Sequence, residues 1–384
     1  MTIFTTQNLL KAYYNCRQNK RQTVNALKFE QNLEENIENL RLKLCWQTYK
    51  PGRSICFIVT KPKPREIFAA EFTDRVVHHL LVNELQNYFE KHIFIGNSFA
   101  CRPCKGNLFA TKQIYKFCQK FEEYYGQFDL VNFFASISKN ALFYIVKKHI
   151  CNMPRHNIWK KEILWISKLI IYHDPTKNYY YKGDPNLGKL VPPHKSLFNQ
   201  KENIGLPIGN LTSQFFANVL LNELDQFATT ALGLQGYGRY VDDFIIFANR
   251  KSEIITAKKA ISKFLDFQLN LKIHPKKQQI QPTRHGIPFV GYFIKPWVIY
   301  PRRNTVKTIK GRLFDIQKGG VKIEDLKATQ QTLNSYYGHF RHASSYNLRK
   351  HLYLKHFDQP LKLLLAPKNS NYTSYSIIDR GSKK

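Results

Sequence analysis

GYGRYVDDFIIFA, residues 236–248, sets β-branched and aromatic residues on both sides of two adjacent aspartates. Such residues fit a pleated, half-buried surface, so the stretch reads as a β-hairpin with Asp242 and Asp243 at its turn. Two like charges side by side repel unless water solvates them or a cation neutralises them. An exposed acidic turn meets the first condition, a metal site the second. The apolar strands on either side favour a buried-sheet setting.

QFDLVNFFASI, residues 127–137, carries a second acidic residue, Asp129, between Phe128 and Leu130 on an apolar strand of its own. A lone carboxylate on a buried strand is costly, and buried charges are normally paired or bound to metal. An ordinary edge-strand aspartate is the alternative. Taken together, an aspartate on one strand and an aspartate pair on a later hairpin fit a two-metal phosphoryl-transfer site. One ion would activate an attacking 3′-hydroxyl and both would neutralise charge on the transferring phosphate.

The rest of the composition points to a polyanionic partner. Lys and Arg number 59 against 27 Asp and Glu, a formal net charge of +32 over 384 residues. Each phosphate contact made by such cations releases condensed counterions. The surplus is not a tail, since residues 301–384 account for about +12 of it by count and the remainder is spread through the chain. Aromatic residues make up 14%, with 22 Tyr and 28 Phe, and offer faces on which bases can stack. No run approaches 18 uncharged apolar residues and the N-terminus lacks the pattern of a signal peptide, so no membrane association and a cytoplasmic location are expected. Seven cysteines with one close pair, Cys101 and Cys104, lack the further ligands a zinc site needs and read as reduced structural thiols.

Organisation follows from periodicity. Residues 55–69, ICFIVTKPKPREIFA, form an apolar hairpin with cations at its tip, and residues 71–90 place Phe72, Val76, Leu80 and Tyr88 at helical spacing. Residues 172–203 are rich in Pro, Gly, Asn and Lys and read as a long basic loop or insertion. GLPIGNLTSQFFANVLLNELDQF, residues 205–227, passes from a Gly/Pro loop through the helix starters Asn210 and Thr212 into an apolar helix, an arrangement that can hold an anion. Two further stripes, Val306/Ile309/Leu313/Ile316 and Leu326/Leu333/Tyr336/Phe340, give a basic helical lobe.

These residues carry a resemblance to reverse transcriptases. YVDD at 240–243 resembles the YxDD box of that family and FDLVNFF at 128–134 its first catalytic strand. Lys63-Pro64-Arg65 with Asp74-Arg75 resembles the fingers motif, and Arg102-Pro103 through Gly106 the RPxxG element. GLPIGNLTSQ resembles the palm loop, LNLKIHPKK the fourth palm motif and FVGYFI the primer grip. The fold implied is α+β: a right-hand polymerase with fingers over 1–120, an antiparallel palm with helices over 121–300 containing the insertion at about 172–203, and a helical thumb and tail over 301–384. Ile208-Gly209 and Ser213-Gln214 stand where most relatives have Gln-Gly and Ser-Pro. That pattern, with SYYGHFRHASSYNLRKHL at 335–352, is most similar to the enzymes of diversity-generating retroelements.

The resemblance implies an RNA-directed DNA polymerase, error-prone and engaged in mutagenic retrohoming. Asp129 and Asp242 would ligate two Mg2+ ions, for which Mn2+ can substitute, with Asp243 completing the cluster. Lys63 and Arg65 would meet the triphosphate, and Ile208, Gly209 and Gln214 would line the nucleotide site. Phe134 resembles the aromatic gate that excludes a ribose 2′-hydroxyl, with a core phenylalanine as the alternative. Lys277, in the HPKK turn, resembles the lysine that protonates pyrophosphate, with a solvated surface lysine as the alternative. Arg75, Arg102, Gly291, Arg302, Arg303, Lys307, Lys310 and Arg312 would contact nucleic acid. Template RNA, complementary DNA and deoxynucleoside triphosphates are the implied partners, together with a small basic ring-forming accessory protein, in a bacterial or phage-encoded system. A phage-defence, retron-like or group II intron-like reverse transcriptase is the nearest alternative, and a non-catalytic RNA-binding protein with a polymerase fold the next.

Overall fold

β-Rich segments of this chain are short and widely spaced, and among the described residues four small sheets result, one of them only the pair Leu365–Pro367 and Tyr375–Ile377. The computed structural model describes residues 2–18, 23–121, 123–320 and 324–378; the end of the expected C-terminal tail, 379–384, lies outside them. Three helices, Thr6–Arg17, Val24–Gln31 and Leu33–Cys45, precede the first hairpin. There β1 (Ser54–Val59) pairs antiparallel with β2 (Arg65–Ala69), Ile55 opposite Ala69 and Val59 opposite Arg65. The helix Phe72–Tyr88 follows and buries Phe72, Val76, Val77, Leu80, Leu81 and Leu85, the i, i+4 stripe its periodicity predicts.

Strand β3 (Tyr124–Leu130) carries Asp129 one residue before its end. The expected loop at 172–203 is more ordered than its composition suggests. It contains β4 (Tyr179–Tyr181), which pairs parallel with β1, and three short 3-10 turns. The buried Glu66 of β2 anchors it, accepting hydrogen bonds from Ser196 Oγ at 2.7 Å and the Leu197 amide at 2.9 Å. Proline and glycine broke the hydropathy pattern here, while the side-chain hydrogen bonds that order the segment come from a partner some 130 positions away in sequence.

The helix Leu211–Gln226 is buried nearly all round, and between Thr212 and Asp225 only Gln214 is fully exposed. After it come β5 (Gly236–Tyr240), β6 (Asp243–Ala248) and β7 (Ile273–Pro282). With β3 they make a four-stranded sheet in the order β5-β6-β3-β7. Strands β8 (Ile287–Phe289), β9 (Tyr292–Lys295) and β10 (Val298–Pro301) form an antiparallel meander. The helices Arg303–Lys318, Leu326–Phe340 and Tyr346–His356 then enclose their own core of Ile309, Leu313, Leu333, Tyr337, Phe340 and Leu352.

The fold is thus α+β. Its contacts divide the chain into two compact units: residues 1–102, 127–245 and 255–279 in one, and 103–126, 246–254 and 280–384 in the other. These divisions differ from the three consecutive segments expected from sequence. In the second unit the meander is tied to the C-terminal helices, Tyr292 donating to the His339 carbonyl at 3.0 Å and the Ser344 amide to Ile299 at 2.8 Å.

Candidate active site

The strand order explains how Asp129 and Asp242 meet, with Asp243 beside them. β6 lies beside β3, so the turn that opens β6 brings Asp242 and Asp243 to the end of β3 where Asp129 sits. Asp242 and Asp129 are within hydrogen-bonding reach of each other. Burial, then the charges of Asp129 and Asp243, push the Asp242 carboxyl up to about 7. β7 flanks β3 on its other side and supplies Lys277, whose Nζ forms an ion pair with Asp129. Lys277 lies within the strand rather than in a turn, since residues 273–282 run on as one extended segment past Pro275.

Hard oxygen donors crowded until one holds its proton near neutrality suit a divalent cation, which would restore the ionised form. Among the described residues no three acidic, His or Cys side chains stand close enough to cage a metal unaided. Mg2+ is commonly held by one or two carboxylates, with waters and substrate phosphates completing the shell, a role that Asp129 and Asp242 could fill. The donor set therefore fits the ion that the carboxylates call for.

Sequence inspection did not single out the residues that hold this turn. Val241, between Tyr240 and Asp242, has φ of +55°, a strained conformation for a β-branched residue. Beneath it Arg239 is buried, with Nε and Nη2 on the Asp225 carboxylate at 2.7 and 2.6 Å. Its other donors reach Asn218 Oδ1 at 3.2 Å, Ser98 Oγ at 2.9 Å and the Val241 carbonyl at 2.9 Å. Tyr237 also donates to Asp225, at 2.8 Å. The signal available was an arginine in an apolar strand and an aspartate at the end of an apolar helix, two charges of opposite sign that burial obliges to pair.

A cleft beside the turn is lined by Ala100, Cys101, Phe133, Phe134, Gln214, Asn218, Arg239 and Val241. Both phenylalanines line it, Phe133 buried and Phe134 half-buried, so the second leaves more of its surface open. Ile208 is not among the lining residues. Its carbonyl accepts from the Phe68 amide at 2.9 Å, which binds the palm loop to β2. Gly209 has φ of +123°, and a Cβ there would come within 2.8 Å of Ile67 and 3.1 Å of the Phe68 carbonyl, so no other residue fits that approach. Asn210 occupies the start of the helix, yet its side chain accepts from the Ala70 amide at 3.0 Å instead of capping.

Lys63 and Arg65 are exposed at the hairpin tip and at the start of β2, and Arg75 donates to the Ala70 carbonyl at 2.7 Å. Arg102 corrects the expectation of a nucleic-acid contact. It is buried, with Nε and Nη2 on Glu90 and Nη1 on the Ile95 and Ser98 carbonyls at 2.6 and 2.8 Å. Its donors are engaged inside the protein and its role is to lock the segment 90–102. Cys101 and Cys104 are free and exposed thiols.

In the other unit Gly291 has φ of +91° and its carbonyl accepts from the Arg302 amide at 3.1 Å. Arg302, Arg303, Lys307 and Arg312 are exposed along the helix that follows, Lys310 is half-buried, and Arg312 lies 5.5 Å over the Tyr336 ring.

A strand carboxylate facing an aspartate pair on a tight hairpin, in a sheet backed by a buried helix, defines a polymerase palm. The chain belongs to the reverse transcriptase (RNA-dependent DNA polymerase) family, whose model matches residues 50–294. No protein of curated function matches it by sequence. Among solved structures it is similar to apo telomerase from Candida tropicalis, at 13% identity and a TM-score of 0.50 over 75% of this chain and 52% of that one. It is also similar to telomerase from Candida albicans in complex with a fragment of telomeric RNA, at 12% identity and a TM-score of 0.47 over 80% and 60%. The chain thus spans between half and two thirds of the length of these telomerases, and the first of the two likenesses bears on the fold alone.

Proposed function

We propose that this protein copies RNA into DNA by two-metal nucleotidyl transfer, with Asp129 and Asp242 holding Mg2+ or Mn2+ and Asp243 completing the acidic cluster. The observation that carries this reading is the meeting of Asp129 and Asp242 from adjacent strands, with burial and like charge holding Asp242 up to about 7. When bound, the ions supply Lewis-acid activation of the primer 3′-hydroxyl and neutralise charge on the transferring phosphate. Lys277 Nζ, beside Asp129, is the proton source for the departing pyrophosphate. Lys63 and Arg65 meet the triphosphate, and Phe134 and Gln214 bound the sugar. The test is incorporation of labelled deoxynucleotides on an RNA template with Mg2+, against the same assay on Asp242→Ala. Template-dependent synthesis by the wild type is expected; its absence would leave RNA binding without catalysis as the function.

The exposed cations of Arg303–Lys318 are assigned to the nucleic-acid backbone. Each phosphate neutralised contributes about 0.7–0.9 to the slope of log affinity against log salt. Changing Arg302, Arg303, Lys307 and Arg312 together to Gln is therefore expected to flatten that slope by about 3, measured by fluorescence anisotropy on labelled RNA. An unchanged slope would move the basic surface elsewhere.

Within the family we assign the protein to the diversity-generating retroelement group, working with a small basic ring-forming partner in the cytoplasm. What supports this is Ile208 and Gln214 in the palm loop, where most relatives carry Gln and Pro. Isoleucine cannot make the hydrogen bond that a glutamine at that position would offer the incoming nucleotide, and a lost orienting contact narrows the gap between right and wrong pairs. Ile208→Gln is expected to lower misincorporation opposite template adenine by about tenfold, the equivalent of about 1.4 kcal/mol, relative to the other bases. Sequencing of complementary DNA made on a defined template reads this out, and an unchanged error spectrum would remove Ile208 from the account of fidelity.

A further inference from the structure

We propose that Arg239 is a positioning residue, which holds the strained Val241 turn so that Asp242 faces Asp129. This rests on the reading of Asp129 and Asp242 as the metal-binding pair. The planar guanidinium offers five N–H donors in fixed directions. Here each meets an acceptor: two on Asp225, and one each on Asn218, Ser98 and the Val241 carbonyl. Four of these contacts fix the orientation of the group from the helix Leu211–Gln226 and from the segment at Ser98. The fifth is a bond to the backbone immediately before Asp242.

That bond has something to hold. Val241 sits at φ +55°, where a β-branched residue is strained, and such a conformation persists only if its surroundings over-determine it. The backbone of Arg239 is held as well, its amide donating to the Asn97 carbonyl and its carbonyl accepting from the Phe99 amide, both at 2.9 Å. Asn218 in turn donates to the Ala100 carbonyl at 2.9 Å, and Ala100 lines the cleft of Phe134 and Gln214. One buried side chain therefore joins the aspartate turn to the wall of the nucleotide cleft. A lysine at this position would keep the charge and lose the planar set of directions.

The test separates positioning from stability by single-turnover extension of an annealed primer on RNA, in which the rate constant and the amplitude are read separately. Arg239→Lys is expected to lower the rate constant about a hundredfold, the scale of a misplacement of about 1 Å, while most of the amplitude and the RNA affinity persist. Mn2+ binding to the RNA-free protein, followed by the loss of the free-ion electron paramagnetic resonance signal, should weaken in parallel. Adding Val241→Gly relieves the strain, because glycine adopts positive φ without steric cost, and is expected to restore about tenfold of the lost rate. A reduced amplitude at the wild-type rate constant would make Arg239 merely structural and overturn the proposal, as would a slow enzyme that Val241→Gly does not relieve. If Arg239→Lys does not fold, Asn218→Ala removes one of the five acceptors, together with the bond to the Ala100 carbonyl, and should slow the rate constant about fivefold, well inside that hundredfold range; a wild-type rate constant there overturns the proposal. A fully active Asp242→Ala would sink the underlying site, whereas an inert Asp242→Ala beside a normal Arg239→Lys would sink this inference alone.

Discussion

Alanine at Asp129 or at Asp242 is expected to lower RNA-templated synthesis by about a thousandfold or more, because a bound cation contributes several kcal/mol and each 1.4 kcal/mol is about a factor of ten. RNA affinity should stay within about twofold, since phosphate contacts and not these carboxylates set it. The two variants should nevertheless differ in stability. Asp242 is a half-buried carboxyl pressed by two like charges, so Asp242→Ala removes a repulsion, and its melting temperature in metal-free buffer should be no lower than that of the wild type. Asp129→Ala takes away the partner of Lys277, whose side chain is half exposed and can turn to water, so that loss should be small. Primer extension, anisotropy and thermal melts check the set. Near-normal synthesis by either variant in Mg2+ would show that the metals are held elsewhere, and inactive proteins that melt early would point to misfolding instead.

The acidic turn was legible because its information is local: two aspartates between apolar runs can form little else. Asp129 was legible for the same reason, and the hairpin at 55–69 and the helix at Phe72–Tyr88 declared themselves by period. What the sequence withheld is pairing across distance. Arg102 has the look of a surface cation until Glu90 and two carbonyls are seen to enclose it, and Glu66 gives no hint that it organises residues 196–197. Asn210 stands where a helix cap belongs, yet its carboxamide serves the residue just past β2, 140 positions away. Lys277 reads as a turn residue because proline precedes it by two, but the sheet carries the strand through and aims the lysine at Asp129. The Arg239–Asp225 pair is the clearest case, since neither residue means much alone and together they fix the turn.

Phenylalanine 134 is expected to govern sugar choice, and its removal to have the second-largest effect. Its ring is held as a rigid wall: the Phe134 carbonyl accepts from the Leu206 amide at 2.8 Å, and the ring packs edge-on against the buried Phe133 with centroids 5.2 Å apart. If Phe134 bounds the sugar as proposed, a ribonucleotide places its 2′-hydroxyl against that face, where an aromatic ring offers no hydrogen-bond partner and the group loses its water. Discrimination of this kind against one added hydroxyl is worth about a hundredfold. Phe134→Ala should therefore raise incorporation of ribonucleotides relative to deoxynucleotides by about that factor, with a loss of less than about tenfold in kcat/KM for deoxynucleotides. Phe134→Tyr keeps the ring and should keep most of the selectivity. Phe133→Ala distinguishes the gate from the core beside it: truncating a buried phenylalanine costs about 3–5 kcal/mol of stability, and that variant should lose folded protein without gaining ribonucleotides. Primer extension with each nucleotide set measures all three, and unchanged selectivity in Phe134→Ala would return this residue to the core.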